Sequence, residues 1–338
     1  MSRRVLVPRT LPPLSALAAG PDGRVHRLSG ATMGTRWAVS FAGPARLDPT
    51  RVRREVEVIL DGVIAEMSQW VDHSVLSIFN RAPAGTWLAL PEGFFTVLRQ
   101  ALRLAQETGG AYDPAIGPLV DLWGFGPNGA PAEPPDEALA AWREGAGGWR
   151  RLALDEVGRR AFQPGGLRLD LSSVAKGFAV DLLSERLAAS GLPGHLVEIG
   201  GELKGQGCKP DGRPWWVALE EPGAPADRQE AGDTIVALHG LAVATSGDYR
   251  RFLRKGGDRL SHTLDPRTGR PVDHGLASVC VLHECCMLAD ALATALTVMG
   301  LEEGYAWAAE RGLAARFIRR MPRGFAETMT PAFAALLD

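Results

Sequence analysis

The sequence predicts an α+β fold in which central mixed or antiparallel sheet elements are flanked by helices. Two observations predict it. Short alternating runs of apolar and polar residues recur through the middle of the chain, and longer stretches carry apolar residues at helical spacing. The 338 residues are 46% hydrophobic and 22% charged, which is enough apolar material for a large core. We therefore expect a single domain over residues 31–338, preceded by a flexible leader over residues 1–30.

The leader does not read as a clear signal peptide, because Pro8, Pro12 and Pro13 interrupt its weakly apolar stretch. No run of about eighteen apolar residues occurs elsewhere, so no membrane-spanning segment is expected. The four cysteines lack CxxC or regular disulfide spacing, and free buried thiols fit a reducing compartment. These features predict a cytoplasmic protein. The formal net charge of −2, without a basic run interleaved with aromatics, predicts no nucleic-acid partner.

In the first half of the domain, the sequence predicts a strand, two helices and a long loop. Residues 35–42 alternate as a strand does. Asp48 and Pro49 open a helix with apolar positions at helical spacing, namely Val52, Val56, Leu60, Val63 and Met67. A second helix covers residues 93–108 and stops at a glycine pair. The Pro- and Gly-rich passage 111–135 predicts a long loop, and such loops are often functional.

The second half alternates strands with two more helices. Short strands are predicted at residues 151–154, 160–162 and 168–171, and a helix follows over residues 173–190. The segments HLVEIGG, WWVALEE, TIVAL and LAVAT continue as strands, with the polar segment 222–233 as an exposed loop. A further strand is predicted at residues 277–283. The last predicted helix runs over residues 286–298 and is closed by Gly300.

The start of the helix near Ser173 is a candidate phosphate site. A strand ending in Asp170 leads into it through small residues, and Lys176 lies in its first turn. Helix N-termini leave backbone N–H groups unpaired and carry partial positive charge, and a lysine there meets phosphate as a point charge. The alternative is that Ser172 or Ser173 caps the helix while Lys176 is solvated. The segment alone does not decide between the two.

Asp290 and Thr294 form a candidate metal site in the last predicted helix. They lie four residues apart in an otherwise apolar stretch, which puts their oxygens on one face, about 6 Å apart along the axis. Such oxygens suit Mg²⁺, which takes one or two carboxylates plus substrate phosphates. The alternative is a buried Asp290 carboxylate that is satisfied by local hydrogen bonds.

A third group of functional side chains lies between these helices. Ser246, Asp248 and Tyr249 are followed by His262 and Asp265 in a context punctuated by Gly and Pro. His262 is a candidate general base that the nearby Asp265 could orient. Asp265 also begins an ordinary turn formula, DPRTG, and for this residue alone the turn is the favoured interpretation.

Three upstream side chains are candidates for a large planar ligand. Met33, Trp70 and Tyr112 lie in glycine- or turn-rich surroundings, where a thioether and aromatic faces suit such a ligand. Each residue alone more often packs in a core.

Several segments in fixed order resemble a known family. They run from Thr32 to Gly300 and read TMGT, SVLSIFN, GGAYDPAIGPLVDLWGFG, DLSSVAKGFAVD, VEIGGE, ATSGDY, SHTLDPRTGRPV and ADALATALTVMG. Together they resemble the FAD:protein FMN transferases, the ApbE-type flavin transferases. The resemblance implies an ApbE-like, T-fold-like architecture. It also implies Mg²⁺-dependent transfer of the FMN half of FAD to a threonine hydroxyl of an acceptor flavoprotein, with AMP leaving.

The resemblance also implies roles for individual residues. Metal ligands fall at Ser173, Asp290 and Thr294, and the catalytic base falls at His262, with Asp265 beside it. Contacts with FAD fall at Met33, Trp70, Ala111, Tyr112, Asp113, Asp170, Lys176 and Leu264. The implied partner is an acceptor protein with a threonine-containing flavinylation motif. One departure is that no cysteine precedes Cys208, whereas family members are commonly lipoproteins with a cysteine just after the leader.

Two other functions stay open from the sequence. A Mg²⁺-dependent FAD pyrophosphatase would use water in place of threonine and give FMN and AMP. A flavin-binding protein without turnover would use the same pocket and release no AMP.

Overall fold

The computed structural model describes residues 4–8, 23–127, 134–145, 148–222, 234–248, 252–255 and 258–337. The helices within these ranges are α1 (Pro49–Met67), α2 (Val75–Arg81), α3 (Glu92–Glu107), α4 (Gly117–Leu122), α5 (Asp136–Glu144), α6 (Ala175–Ala189), α7 (Cys286–Glu310) and α8 (Pro331–Ala334). The strands within them are β1 (Arg4–Leu6), β2 (Gly23–Thr32), β3 (Thr35–Pro44), β4 (Thr86–Ala89), β5 (Ala153–Asp155), β6 (Arg160–Gln163), β7 (His195–Ile199), β8 (Glu202–Gln206), β9 (Trp215–Ala218), β10 (Thr234–Leu238), β11 (Leu241–Gly247), β12 (Phe252–Lys255), β13 (Asp258–Ser261), β14 (Leu264–Asp265), β15 (Arg270–Pro271), β16 (Leu276–His283), β17 (Ala314–Arg320) and β18 (Phe325–Met329).

The predicted α+β class is confirmed by an eight-stranded sheet with helices packed on it. Its strand order is β18-β17-β16-β11-β8-β7-β3-β2, and every neighbouring pair is antiparallel. Helices α6 and α7 pack against each other and against the central strands. On the other face lies a small sheet of β1, β10 and β9. The main sheet is therefore covered on both sides.

Strand β16 shows how the sequence produces this arrangement. Val279 and Val281 lie in the core under α7, whereas Cys280 and Leu282 pack with the residues of the small sheet. Successive side chains of a strand point to opposite faces, so a strand buried on both faces reads as a continuous apolar run. All but the last residue of β16 are buried.

Helix α1 confirms the pattern that predicted it. The five predicted apolar positions are its five buried residues. Asp48 caps the helix, because its side chain accepts a hydrogen bond from the backbone N–H of Thr50 at 2.9 Å.

Helix α7 continues past its predicted end. Gly300 has φ 80 and ψ −177, which breaks the helix at that residue, but the chain resumes helical geometry as far as Glu310. The ring of His274 fills the bend: its Nε2 donates to the carbonyl of Thr297 at 2.7 Å, and a Cβ at Gly300 would lie 3.1 Å from the ring. The prediction that Gly300 closes the helix over residues 286–298 is confirmed, because its non-helical geometry ends that helix, and a second helix that was not predicted follows as far as Glu310. His274, a distant side chain, satisfies a carbonyl at the bend.

Three predictions need correction. The passage predicted as a loop over residues 111–135 contains α4, which has a proline in its first turn, where proline is well tolerated. Residues 168–171 form no strand, and Arg168 makes only an isolated bridge to Ile116. The segment 1–30 contains β1 and most of β2, both paired with strands of the body, so the predicted leader is wrong for these residues.

Three predictions fall partly outside the described ranges. Residues 1–3 and 9–22 of the predicted leader, residues 128–133 of the loop predicted over 111–135 and residues 223–233 of the predicted exposed loop lie there. Among the residues that the structure does describe, none of the helices has the combined length and apolar character needed to cross a bilayer.

Candidate functional site

The first turn of α6 meets the first turns of α7 at a buried ion pair. The ammonium nitrogen of Lys176 lies 3.2 and 3.4 Å from the two carboxylate oxygens of Asp290. The backbone N–H of Gly177 donates to the same carboxylate at 3.1 Å. A Cβ at position 177 would lie 2.4 Å from the carbonyl oxygen of Cys286, so a glycine is required for the two helices to approach this closely.

Glu202 is the third member of this charged cluster, which we define as Lys176, Glu202 and Asp290. Its Oε1 lies 3.2 Å from the Lys176 nitrogen, and its Oε2 is buried without a hydrogen-bond partner among the described residues. Sequence reasoning missed Glu202. The segment VEIGGE was noted as a strand and as part of the family resemblance, and the glutamate that follows its glycine pair was the available signal.

Burial and neighbouring charge act on the cluster in opposite directions. Burial alone would lower the pKa of Lys176, but the two adjacent carboxylates outweigh it, and the pKa of the ammonium is raised. Burial raises the pKa of Glu202 to about 7, against the opposing attraction of Lys176. The ammonium of Lys176 is paired with two carboxylates, which contradicts the alternative of a solvated lysine.

A second carboxylate joins the two helices. It lies on α6 and accepts from α7, whereas Asp290 lies on α7 and accepts from α6. Asp181 of α6 accepts hydrogen bonds from the backbone N–H groups of Cys286 and Met287, at 3.1 and 2.9 Å. Lys204 neutralises Asp181 at 2.6 Å. The unpaired N–H groups at the start of α7 are thus satisfied by α6, and this contact sets the position of Asp290.

The predicted residues before α6 form a hydrogen-bonded group beside the cluster. Asp170 accepts from the backbone N–H and the hydroxyl of Ser172 and from the amide of Gln69, the last at 3.1 Å. Ser173 donates to the phenolic oxygen of Tyr112 at 3.1 Å. Helix α6 has no side-chain cap, so the alternative in which Ser172 or Ser173 caps it is wrong.

Tyr112 connects this group to the helix pair. Burial raises its pKa, and the negative charges of Asp290, Asp170 and Asp113 add to that effect. Ala111 and Asp113 on either side are buried as well. Asp113 accepts from the backbone N–H of Ala115 at 2.7 Å, and burial raises the pKa of its carboxyl to about 6.

Thr294 lies one helical turn beyond Asp290, as its spacing predicts. Its hydroxyl is 3.1 Å from the hydroxyl of Ser246 on β11. Asp248 forms an ion pair with Arg320, and Tyr249 lies outside the described residues. Over the described ranges, no group of three or more His, Cys, Asp or Glu side chains is placed to hold a metal ion.

His262, Leu264 and Asp265 lie in or just before β14. Leu264 is buried with Leu119 and Trp123, which lie in and after α4. The ring of His262 stands edge-on to Phe125, with centroids 6.4 Å apart.

Asp265 begins a turn, as the sequence DPRTG predicted. Its carbonyl accepts from the backbone N–H of Gly269 at 2.8 Å, and its carboxylate pairs with Arg267 at 3.1 Å. The turn interpretation is therefore confirmed. Its catalytic role stays a prediction.

Met33 and Trp70 both lie on turns. Met33 has φ 47 in the turn between β2 and β3, and it packs against the main core. The chain beside this turn contacts the Gly200–Gly201 turn, because Gly200 donates to the carbonyl of Arg36 at 3.0 Å. The indole of Trp70 is 64% exposed, which leaves its face open to a ligand.

Comparisons with known proteins agree with this architecture. A family model described as ApbE family matches residues 33–317. The chain belongs to the ApbE family. Among relatives of ApbE type, the FAD:protein FMN transferase of Haemophilus influenzae is 37% identical over 96% of this chain and 95% of its own length. That of Vibrio cholerae is 38% identical over 94% of each chain.

Solved structures of the ApbE family share the fold. The apo form of the flavinyl transferase ApbE of Pseudomonas stutzeri has a TM-score of 0.85 at 39% identity, covering 93% of this chain and 97% of that one. The flavin transferase ApbE of Vibrio cholerae has a TM-score of 0.83 at 36% identity, with coverage of 93% and 99%.

Proposed function

We propose that this enzyme, a flavin transferase of the ApbE family, moves the FMN half of FAD onto a threonine hydroxyl of an acceptor flavoprotein and releases AMP. One observation carries the proposal: in a chain of the ApbE family, a half-buried lysine at the start of α6 lies 3.2 Å from a buried aspartate of α7. A positive charge at a helix N-terminus suits a pyrophosphate group. A carboxylate beside it suits the cation that such a group carries.

The residues present fit Mg²⁺. Asp290 supplies a carboxylate, and the paired hydroxyls of Ser246 and Thr294 supply neutral oxygens one helical turn away. Ser173, at the start of α6, supplies another oxygen. These are the hard oxygen donors that Mg²⁺ takes, with substrate phosphates and water completing its coordination. Bound there, the ion would neutralise charge on the pyrophosphate during transfer.

The protein's own groups bind and orient the substrate in this proposal. Lys176 and the N–H groups at the start of α6 hold the pyrophosphate, while Asp170 and Tyr112 fix the adjacent loop. Met33 and Trp70 contact the planar flavin, together with the chain at Ala111 and Asp113 and the side chain of Leu264. His262 removes the proton from the acceptor hydroxyl.

Incubation with FAD, Mg²⁺ and a candidate acceptor tests the proposal. We expect flavin fluorescence that stays with the acceptor band after denaturation, and one AMP released per flavin attached. Accumulation of AMP and free FMN without any labelled acceptor would replace the transferase with the pyrophosphatase. Absence of AMP altogether would leave a flavin-binding protein.

The acceptor is a flavoprotein with a threonine-containing motif, and proteins encoded beside this one are the first candidates. Cytoplasmic location is proposed from the sequence and is tested by cell fractionation.

A further inference from the structure

Glu202 contacts the lysine of the proposed site but has no role in the function proposed above. Only 7% of its side chain is exposed, and 5% of that of Asp290. The two carboxylates share one ammonium group, so the charged cluster carries more negative than positive charge when both are ionised. Buried carboxylates are costly to leave unbalanced, and a second glutamate here calls for an explanation.

The two carboxylates differ in how fully they are satisfied. Asp290 accepts from Gly177 as well as from Lys176. Glu202 has one oxygen on Lys176, and its Oε2 is buried without a partner among the described residues. A buried acceptor without a hydrogen bond is destabilising, and the Oε2 atom of Glu202 can accept a further hydrogen bond from the lysine.

The position of Glu202 is fixed by its backbone. It is the first residue of β8 and follows Gly200 and Gly201, which have φ 66 and 109. A Cβ at Gly200 would lie 2.9 Å from the side chain of Thr35, so the turn is tightly packed. Lys176 has a long side chain that is 25% exposed. Of the two partners, the lysine is the one that can move.

Lys176 lies on both oxygens of Asp290, where a divalent cation would bind. An ammonium group and a cation cannot both use these oxygens at short distance, because their charges repel. We propose that Glu202 is a positioning residue that keeps hold of the ammonium of Lys176 when a cation displaces it from Asp290, so that the lysine stays in the site as a second positive charge. This inference rests on the proposed function, because it assumes that Asp290 binds Mg²⁺.

The test is a double-mutant cycle on Mg²⁺ binding, measured by titration calorimetry with MgCl₂ alone and again with FAD present. The variants are Glu202→Gln, Lys176→Met and the double variant, and Glu185→Gln on the exposed side of α6 is the matched control. We expect Glu202→Gln to weaken Mg²⁺ binding by at least about fivefold more when Lys176 is present than when it is replaced, a coupling in the range measured for contacting residues. The proposal would be overturned if Glu202→Gln weakened Mg²⁺ binding equally, or less, in the protein with Lys176 than in the protein with Lys176→Met.

A structure with FAD and Mg²⁺ bound gives a second readout that does not depend on the stability of the variants. We expect the lysine nitrogen to keep its contact with Glu202 and to lie no longer on both oxygens of Asp290. A lysine that still lies on both oxygens of Asp290 would refute the exchange. If the wild-type protein shows Mg²⁺-stimulated FMN transfer but Glu202 and Lys176 show no coupling in Mg²⁺ binding, only this inference is rejected. If the wild-type protein shows no such transfer, the proposed function is rejected.

Discussion

The ammonium nitrogen of Lys176 lies 3.2 Å from a carboxylate oxygen of Asp290, although 114 positions separate the two residues in the chain. The contact joins the first turn of α6 to the first turns of α7, and the buried carboxylate of Glu202 completes it. This contact turns two separate candidate sites of the sequence into one. The proposed chemistry needs a positive charge and a cation-binding carboxylate within reach of the same pyrophosphate.

Asp290→Asn is expected to remove Mg²⁺-stimulated FMN transfer. The amide keeps an oxygen for the N–H of Gly177 but has no charge for a cation, so we expect a loss of roughly 100-fold or more, as when one group that stabilises transition-state charge is deleted. The rate of AMP release from FAD at several MgCl₂ concentrations measures it. Asp61→Asn, on the exposed side of α1, is the control and should keep full activity. Unchanged Mg²⁺ stimulation in the Asp290 variant would remove Asp290 from the metal site.

His262→Gln separates the two predicted catalytic residues. If His262 deprotonates the acceptor, this variant should lose roughly 10²–10⁴-fold in kcat while FAD binding is kept. Asp265→Asn should instead lower the melting temperature, because its carboxylate holds Arg267 in a turn, with a smaller effect on kcat. Single-turnover rates of acceptor labelling, together with FAD fluorescence quenching, measure both effects. The opposite ranking of the two kcat losses would make Asp265 the base.

Gly177→Ala is expected to destabilise the junction of α6 and α7. The added Cβ would lie 2.4 Å from the carbonyl oxygen of Cys286, and such overpacking costs about 1–3 kcal/mol. Gly62→Ala is the matched control, because it lies in helix α1 with no atom within 4 Å of the added Cβ. That variant should be as stable as the wild type or more stable, by up to about 1 kcal/mol. Urea unfolding of both variants gives the comparison, and equal stabilities would contradict the close approach of the helices.

The buried carboxyl of Asp113 predicts a pH dependence of stability. Its pKa is raised from 3.8 to about 6, so the folded protein holds a proton between these values that the unfolded chain has released. The contribution of this group to the free energy of unfolding is therefore greatest below pH 3.8 and declines as the pH rises to about 6.

Asp113→Asn removes this dependence. Relative to the wild type, the free energy of unfolding of the variant should rise by roughly 1–3 kcal/mol as the pH increases from 4 to 7, since one pKa unit corresponds to about 1.4 kcal/mol. Urea unfolding across this range without FAD measures the difference. A constant difference between the two proteins would show that the carboxyl titrates normally.

Most local elements, and the chemical types of the site residues, were predictable from the sequence. Helical spacing predicted α1 with its five buried positions, and it placed Asp290 and Thr294 one turn apart on α7. Small residues before Lys176 located the start of α6 to within two residues. These features depend on neighbours within a few residues, and side-chain periodicity and local hydrogen bonding decide them.

Which of these elements meet was not predictable from local patterns and depends on tertiary contacts. Asp181 of α6 satisfies the first N–H groups of α7, and Glu202 reaches Lys176 from a strand, yet no local pattern encodes either contact. The bend at Gly300 likewise depends on His274, which lies on another segment. Such contacts arise when an antiparallel sheet brings distant segments together. A buried charge is stable only beside a partner that the fold supplies, and local sequence spacing does not determine that partner.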